Sequence, residues 1–284
     1  MTSLRPQREN IMLAYPVDPG RINRLGATFT LQPKFKGERC RVEWFHGKPV
    51  LLSSYGNEFK YLEHITKVIE KFKGFPFDGE LYKHGWSQGR INSAANRKVK
   101  VNPDSALLEY HSYDIQLPSI IQSDRLLALE RIEAFITSGS TPTPLKISPS
   151  WQVTKDTWLP IASKLIKNKY EGAVLRNNNG FYSFKRSVNL LKFKPTEEDI
   201  YIITAVIEAI SKTGEPKGMI GSFLVRAKDE EVSFKVGAGK LSHNERITLW
   251  KERDTLINKE LKVKHELTRT EKGIPDCAVA VEVI

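Results

Sequence analysis

Only two cysteines occur in 284 residues, Cys40 and Cys277, and the chain has no C-x-x-C pair and no His-x-x-x-His spacing. A disulfide scaffold and a zinc-finger module are thereby excluded, and both thiols read as reduced core residues. Long apolar runs are missing as well. No stretch nears the roughly 20 apolar residues that span a bilayer, and the opening MTSLRPQREN is too polar for the apolar core of a secretory leader. The expectation is a soluble, cytoplasmic protein that does not enter a membrane. Acidic residues are scarce, but unevenly so. Residues 1–195 hold 30 basic against 17 acidic side chains, whereas residues 196–284 hold 14 against 16, within an overall net charge of +11. A basic excess confined to one part of the chain suits a domain that grips a polyanion, whose phosphates dominate affinity through released counterions.

The length allows two compact domains, each with a core of its own. Cys40, Val42 and Trp44 alternate with Arg41, Glu43 and Phe45, and His46-Gly47-Lys48-Pro49 then supplies turn chemistry before Val50-Leu51-Leu52, which predicts a hairpin. Further strands are expected over 77–82, 112–117, 172–176 and 190–194, with helices over 124–136 and 158–168. Pro195-Thr196-Glu197-Glu198-Asp199 is polar, lies where the charge balance reverses, and reads as a linker. Beyond it, strands are expected over 200–207, 220–227 and 232–236, and Ser242-His243-Asn244-Glu245 forms a capping box opening a helix through Trp250. A strand-like tail over 277–284 closes the chain. The expected fold class is α+β: a mixed α/β domain over 1–195, then a small OB-type β-barrel over 196–284.

Five segments carry the functional reading through their order and spacing. They are Lys34-Phe35-Lys36-Gly37-Glu38-Arg39, Phe77-Asp78-Gly79-Glu80-Leu81, Ser112-Tyr113-Asp114-Ile115, Glu171-Gly172-Ala173-Val174-Leu175-Arg176 and Leu191-Lys192-Phe193-Lys194. In this order they resemble the motifs of the covalent nucleotidyltransferase superfamily, which holds ATP-dependent DNA ligases, RNA ligases and mRNA capping guanylyltransferases. Lys217-Gly218-Met219-Ile220-Gly221 and Val236-Gly237-Ala238-Gly239 extend the resemblance over nearly the whole chain. It is nearest to minimal viral and bacterial ATP-dependent DNA ligases.

The resemblance implies an adenylation domain followed by an OB-fold domain, ATP and Mg2+ as cofactors, nicked double-stranded DNA as partner, and a monomer that clamps the duplex. Lys34 would be the nucleophile, its unprotonated amine attacking the α-phosphate of ATP. Gln32, Arg39, Glu80 and Tyr113 would bind the nucleotide. Arg39 would face ribose and phosphate oxygens, Glu80 the ribose hydroxyl or a metal, and Tyr113 the adenine face. Glu171, with Glu80, would hold the divalent ion. Lys192 and Lys194 flank Phe193, so on a strand both ammonium groups share one face and can neutralise the α-phosphate, with Arg186 nearby. Arg90, Arg97, Lys98 and Lys100 would supply duplex contacts.

Three positions depart from the family pattern. Lys36 stands where aspartate is usual. If the chain is extended there, this lysine shares a face with Lys34 at roughly 7 Å, and repulsion between the two favours the neutral, nucleophilic amine. Ser54 stands where an arginine is usual, and no Arg or Lys follows Lys272, so slow adenylation is expected. An RNA ligase, a capping enzyme and a non-catalytic nick-binding protein stay open as alternatives. For the ligase reading, affinity for nicked duplex should fall about a thousandfold or more between about 50 and 200 mM salt. A filter-binding titration at several ionic strengths checks this, and a flat response would point away from a nucleic-acid partner.

Overall fold

The computed structural model describes residues 10–139, 142–228, 233–267, 269–270 and 273–284. The start of the polar N-terminal segment, Val232 and Lys272 lie outside them. The chain divides into two compact units, Met1–Lys194 and Pro195–Ile284.

The first unit contains β1 (Leu13–Pro16), β2 (Phe29–Lys34), β3 (Glu38–Phe45), β4 (Lys48–Ser53), β5 (Phe77–Tyr82), β6 (Glu109–Ile115), β7 (Leu145–Ile147), β8 (Trp151–Val153), β9 (Gly172–Asn177) and β10 (Arg186–Phe193). They form two five-stranded sheets, ordered β1-β10-β9-β2-β8 and β4-β3-β5-β6-β7. The second sheet packs against helices Glu63–Ile69, Gln88–Ala95 and Gln122–Thr137. Cys40, Val42, Leu51, Ile65, Ile69, Phe77, Leu81, Ile91, Tyr110, Ile115 and Leu129 are fully buried or nearly so in that layer. The first sheet packs against helix Trp158–Lys167, with Phe29, Leu31, Val153, Ala162, Leu165, Leu175 and Leu191 withdrawn from water. Each such aliphatic or aromatic side chain contributes about 1.5–3 kcal/mol of transfer free energy, so burial of these faces dominates what holds the unit together.

The β3–β4 hairpin turns on His46 and Gly47, both at positive φ (48° and 77°), as a two-residue turn matched to strand twist requires. Lys48 and Pro49, read from sequence as turn, belong to β4, where Pro49 stands opposite Trp44. β4 is the edge of its sheet, and an edge strand tolerates a residue with no amide to donate.

The second unit contains β11 (Thr196–Ile210), β12 (Pro216–Arg226), β13 (Ser233–Gly237), β14 (Glu260–Glu266) and β15 (Val279–Val283), which close as a barrel in the order β11-β12-β13-β15-β14. Tyr201, Ile203, Ile220, Phe223, Val225, Val236, Leu261, Val263 and Ala280 fill it. The helix His243–Lys251 opens with both halves of the Ser242–Glu245 capping box formed. Two expectations are corrected here. Residues 196–199 are not a linker but the first turnless stretch of β11, paired residue by residue with β14 from Thr196↔Glu266 to Asp199↔Val263. Their polar side chains are compatible with a strand because β14 offers Lys262 to Glu198 across the pair, at 3.1 Å. Cys277 is exposed rather than core, since it sits at a left-handed turn (φ 53°) ahead of β15.

The packing of β9 on β10 depends on Gly172, where an added Cβ would lie 2.0 Å from the Phe193 carbonyl oxygen and 3.1 Å from its carbon. Backbone on both sides leaves no flexible group to yield. Gly172→Ala should therefore destabilise the protein by about 3 kcal/mol or more. Gly237→Ala, which meets nothing within 4 Å, should change stability by less than about 1 kcal/mol. Urea unfolding midpoints of the two variants measure the contrast.

Candidate active site

The close approach at Gly172 fixes the residue before it. The Glu171 amide donates to the Lys34 carbonyl at 3.1 Å, and Lys34 pairs with Gly172 in the β2–β9 ladder. The Glu171 carboxylate thus sits between two strand ends. There it accepts from Lys34 Nζ and forms an ion pair with Lys194 Nζ, with only 7 % of its side chain exposed.

Around this pair opens a cavity of about 440 Å³, lined among others by Gln32, Lys34, Lys36, Arg39, Ser54, Glu80, Tyr113, Glu171, Arg176, Arg186, Lys192 and Lys194. Strand alternation accounts for the membership. On β10 and just beyond it, Arg186, Leu190, Lys192 and Lys194 line the cavity, while Leu191 is buried and Phe193 packs edge-on to Trp158 at 5.2 Å. At 34–36 alternation does not sort the lining: Lys34, Phe35 and Lys36 all reach the cavity, with the buried Phe35 ring packed against Tyr82, His111 and Tyr170. β2 ends at Lys34, so Lys36 reaches the cavity from outside the strand. Gly37 permits this course. Its Cβ would lie 2.3 Å from the Leu81 carbonyl oxygen, and its amide donates to Glu80 Oε1 at 3.2 Å.

Electrostatically the cavity sets seven cationic side chains, Lys34, Lys36, Arg39, Arg176, Arg186, Lys192 and Lys194, against the carboxylates of Glu38, Asp78, Glu80 and Glu171. Burial pushes the Glu80 carboxyl up to about 7, with Lys34 and Arg39 pulling it down and Glu171 adding to the rise. Lys192 is held below its ordinary value by burial and by the charges of Lys194, Lys34 and Arg186. Such a site favours an incoming polyanion. Glu80 and Glu171 offer the oxygen ligands that magnesium prefers.

Of the nine nucleotide, metal and nucleophile candidates, all line this cavity, but several are held in ways the sequence did not reveal. Arg39 directs its fork at the buried Asp78, with Nε–Oδ1 3.0 Å and Nη2–Oδ2 2.5 Å, and donates to the Met12 carbonyl at 2.8 Å. Burial opposes its charge, but Asp78 more than compensates and keeps it firmly protonated. Gln32 accepts from Arg176 at 2.7 Å and donates to the Tyr113 carbonyl at 3.2 Å. Arg39 and Arg176 approach the Tyr113 ring at 5.7 and 5.4 Å from its centroid. Arg186 donates to the Ala14 carbonyl and lies over Tyr15.

Asp78, Asp114 and Arg176 fall within the sequence motifs but take no role from the resemblance. The structure makes them the scaffold. Asp114, wholly buried, accepts from Arg125 Nε at 2.6 Å and Arg176 Nη1 at 2.5 Å. Asp114 and Arg176 lie in two different motifs and Arg125 in none, so no spacing existed from which this network could be read.

The four duplex-binding candidates are not part of the cavity. Arg90 is exposed, forks onto Asp104 at 2.8 and 3.0 Å, and stacks on Trp86 at 3.8 Å. Arg97 caps its own helix through Ser93, and Lys98 and Lys100 are exposed beside Val99.

This is the fold of ATP-dependent DNA ligases. A Lig E DNA ligase superposes with a TM-score of 0.77 at 21% identity, covering 96% of this chain and 98% of that one. The bacteriophage T7 ATP-dependent DNA ligase in complex with ATP gives 0.56 at 14%, covering 97% and 98%. The Chlorella virus DNA ligase-adenylate gives 0.52 at 21%, covering 99% of each. In sequence, the chain is similar to the DNA ligase of African swine fever virus, isolate Pig/Kenya/KEN-50/1950, at 27% identity over 83% of this chain. The chain spans 58% of the length of that relative. No family model matches.

The raised carboxyl at Glu80 yields a stability test. A folded-state value above the ordinary one means that ionised Glu80 opposes folding. Its favourable contribution is complete below about 4.5 and is lost as pH rises through about 7. Glu80→Gln, neutral throughout, should therefore gain on the wild type between about pH 5 and pH 8, by on the order of 3 kcal/mol at the upper end. Chemical denaturation across that range measures it.

Proposed function

We propose that the chain is an ATP-dependent DNA ligase that seals nicks through an adenylated Lys34. The observation that carries this reading is the position of Lys34. It lies at the end of β2, inside a nucleotide-sized cavity, with one carboxylate against its amine and further cations on the cavity wall. Residues 1–195 are read as the adenylation domain and 196–284 as an OB-fold domain, a reading supported by the closed five-stranded barrel and by likeness to ligase folds.

In the proposed reaction, Glu171 takes the proton from the Lys34 ammonium. The freed amine attacks the α-phosphate of ATP, forming an N–P bond as the bond to pyrophosphate breaks. Lys192, Lys194 and Arg186 neutralise charge that develops on the phosphate oxygens. Tyr113, Gln32 and Arg39 shape the nucleoside end of the cavity. A DNA 5′-phosphate oxygen then displaces Lys34 from AMP, and the adjacent 3′-hydroxyl attacks the activated phosphate and expels AMP. The Glu171 and Glu80 carboxylates fit magnesium, which when bound would neutralise phosphate charge. Arg90, Arg97, Lys98 and Lys100 are proposed as duplex contacts on a basic surface away from the nucleotide.

Lys34→Ala should abolish the covalent label left by α-labelled ATP while changing duplex affinity less than about threefold, because one partly exposed ammonium among many cations is removed. Label retained on the variant would refute the assignment. Glu171→Ala should lower sealing at least about a hundredfold, a typical loss for a group acting in proton transfer, while changing duplex affinity far less. Equal losses in both would mark Glu171 as structural.

A further inference from the structure

In the second unit, β11 and β14 run antiparallel with Glu197 directly opposite His265 and Asp199 opposite Val263. Side chains two apart on a strand, and those directly opposite across a pair, share a face. Glu197, Asp199 and His265 therefore stand on the same side of the ladder as Tyr201, Ile203, Leu261 and Val263, which fill the barrel. They continue the inward row past the point where apolar filling stops. One oxygen from each carboxylate and one ring nitrogen lie within 4.8 Å of one another.

The imidazole shows what such a cluster is suited to hold. The His265 side chain is 1 % exposed, and its Nδ1 lies 2.8 Å from the Glu266 carbonyl oxygen. A carbonyl can only accept, so Nδ1 donates to it and Nε2 is the ring nitrogen left to face the carboxylates. Nε2 lies 2.9 Å from Asp199 Oδ2. A cation can bridge two such groups: a proton makes them an ion pair, and a divalent metal makes them ligands. A metal-ligating histidine commonly donates its other ring nitrogen to a backbone carbonyl, which fixes the tautomer. Two ligands at 2.0–2.1 Å in a tetrahedral shell are separated by about 3.3 Å, so a widening of a few tenths of an ångström would admit the ion.

The surroundings agree. On the outer face of the same ladder Glu198 is matched by Lys262 at 3.1 Å, whereas among the described residues Glu197 has no ion pair. Besides His265, Asp199 has the Tyr201 hydroxyl at 3.5 Å.

We propose that Glu197, Asp199 and His265 form a site for a divalent cation of the zinc class, separate from the nucleotide cavity. One nitrogen and two carboxylate oxygens, with water completing the shell, suit zinc; magnesium prefers oxygen donors alone. The ion ties the first strand of the barrel to its partner, and a ligand set that forms only on folding couples binding to stability.

The test uses the full chain stripped with chelator and titrated with Zn2+ by calorimetry, alongside thermal melts. In the wild type, one zinc equivalent should bind that Asp199→Asn and Glu197→Gln each weaken at least tenfold, and the melting temperature should rise with zinc concentration. His265→Gln should remove that equivalent. Because the buried histidine could be needed for folding, the two exposed carboxylate variants carry the decision. All variants retain the first unit's carboxylates, so any zinc bound there is common to every isotherm. Magnesium at the same concentrations should leave the melting temperature unchanged. Isotherms that coincide between wild type and carboxylate variants, or a melting temperature indifferent to zinc, would overturn the proposal and leave the three side chains as an ion-pair cluster.

Discussion

The first unit depends on the compensation of carboxylates that folding removes from water. An isolated buried carboxylate is costly, and cations with well-formed hydrogen bonds must offset it. Glu171 is 7 % exposed and is met by Lys34 at the end of β2 and by Lys194 just past the end of β10. Because β2 and β10 flank β9 in the sheet, that one carboxylate sets the positions of both amines. On the proposed reading, phosphates entering the cavity would compete with it for the same cations. Charged groups already assembled by the fold lower the reorganisation needed when charge develops.

Along the wall of the cavity the same rule operates deeper in the fold. Asp114 is fully buried between Arg125 and Arg176, and Arg176 also holds Gln32. Asp78 is 1 % exposed and takes the fork of Arg39 as well as the Tyr182 hydroxyl at 2.7 Å. These networks link β2, β3, β5, β6 and β9 through side chains. Once every member is satisfied, they are rigid and specify one arrangement. Removing one partner strands a buried charge, so the wall of the cavity is more constrained than its exposed rim.

The barrel unit solves a different problem. Its inward row is apolar from Tyr201 onward, but β11 begins five residues earlier, at Thr196. Acidic side chains there continue a strand rather than a loop, because β14 supplies lysines on one face and His265 on the other. Polar composition marks a segment as a linker only when no neighbouring strand complements it.

Local chemistry made several features legible from the sequence alone. The helix at Ser242 followed from its capping box, and the hairpin followed from alternation around His46-Gly47. The common face of Lys192 and Lys194 followed from the two-residue period of a strand. The resemblance of the ordered motifs to those of the nucleotidyltransferase superfamily also brought Lys34, Glu80 and Glu171 forward together. Partners distant in sequence were decided only by the tertiary structure. Arg39 turns to Asp78, Gln32 to Arg176, and Glu171 bridges Lys34 and Lys194, while Arg90 and Arg97 satisfy local acceptors outside the cavity. Glu197 and His265 meet because β11 and β14 share a register. Periodicity fixes which face a side chain takes, but which charge it finds there depends on strand order and register, and those are set by the packing of whole sheets.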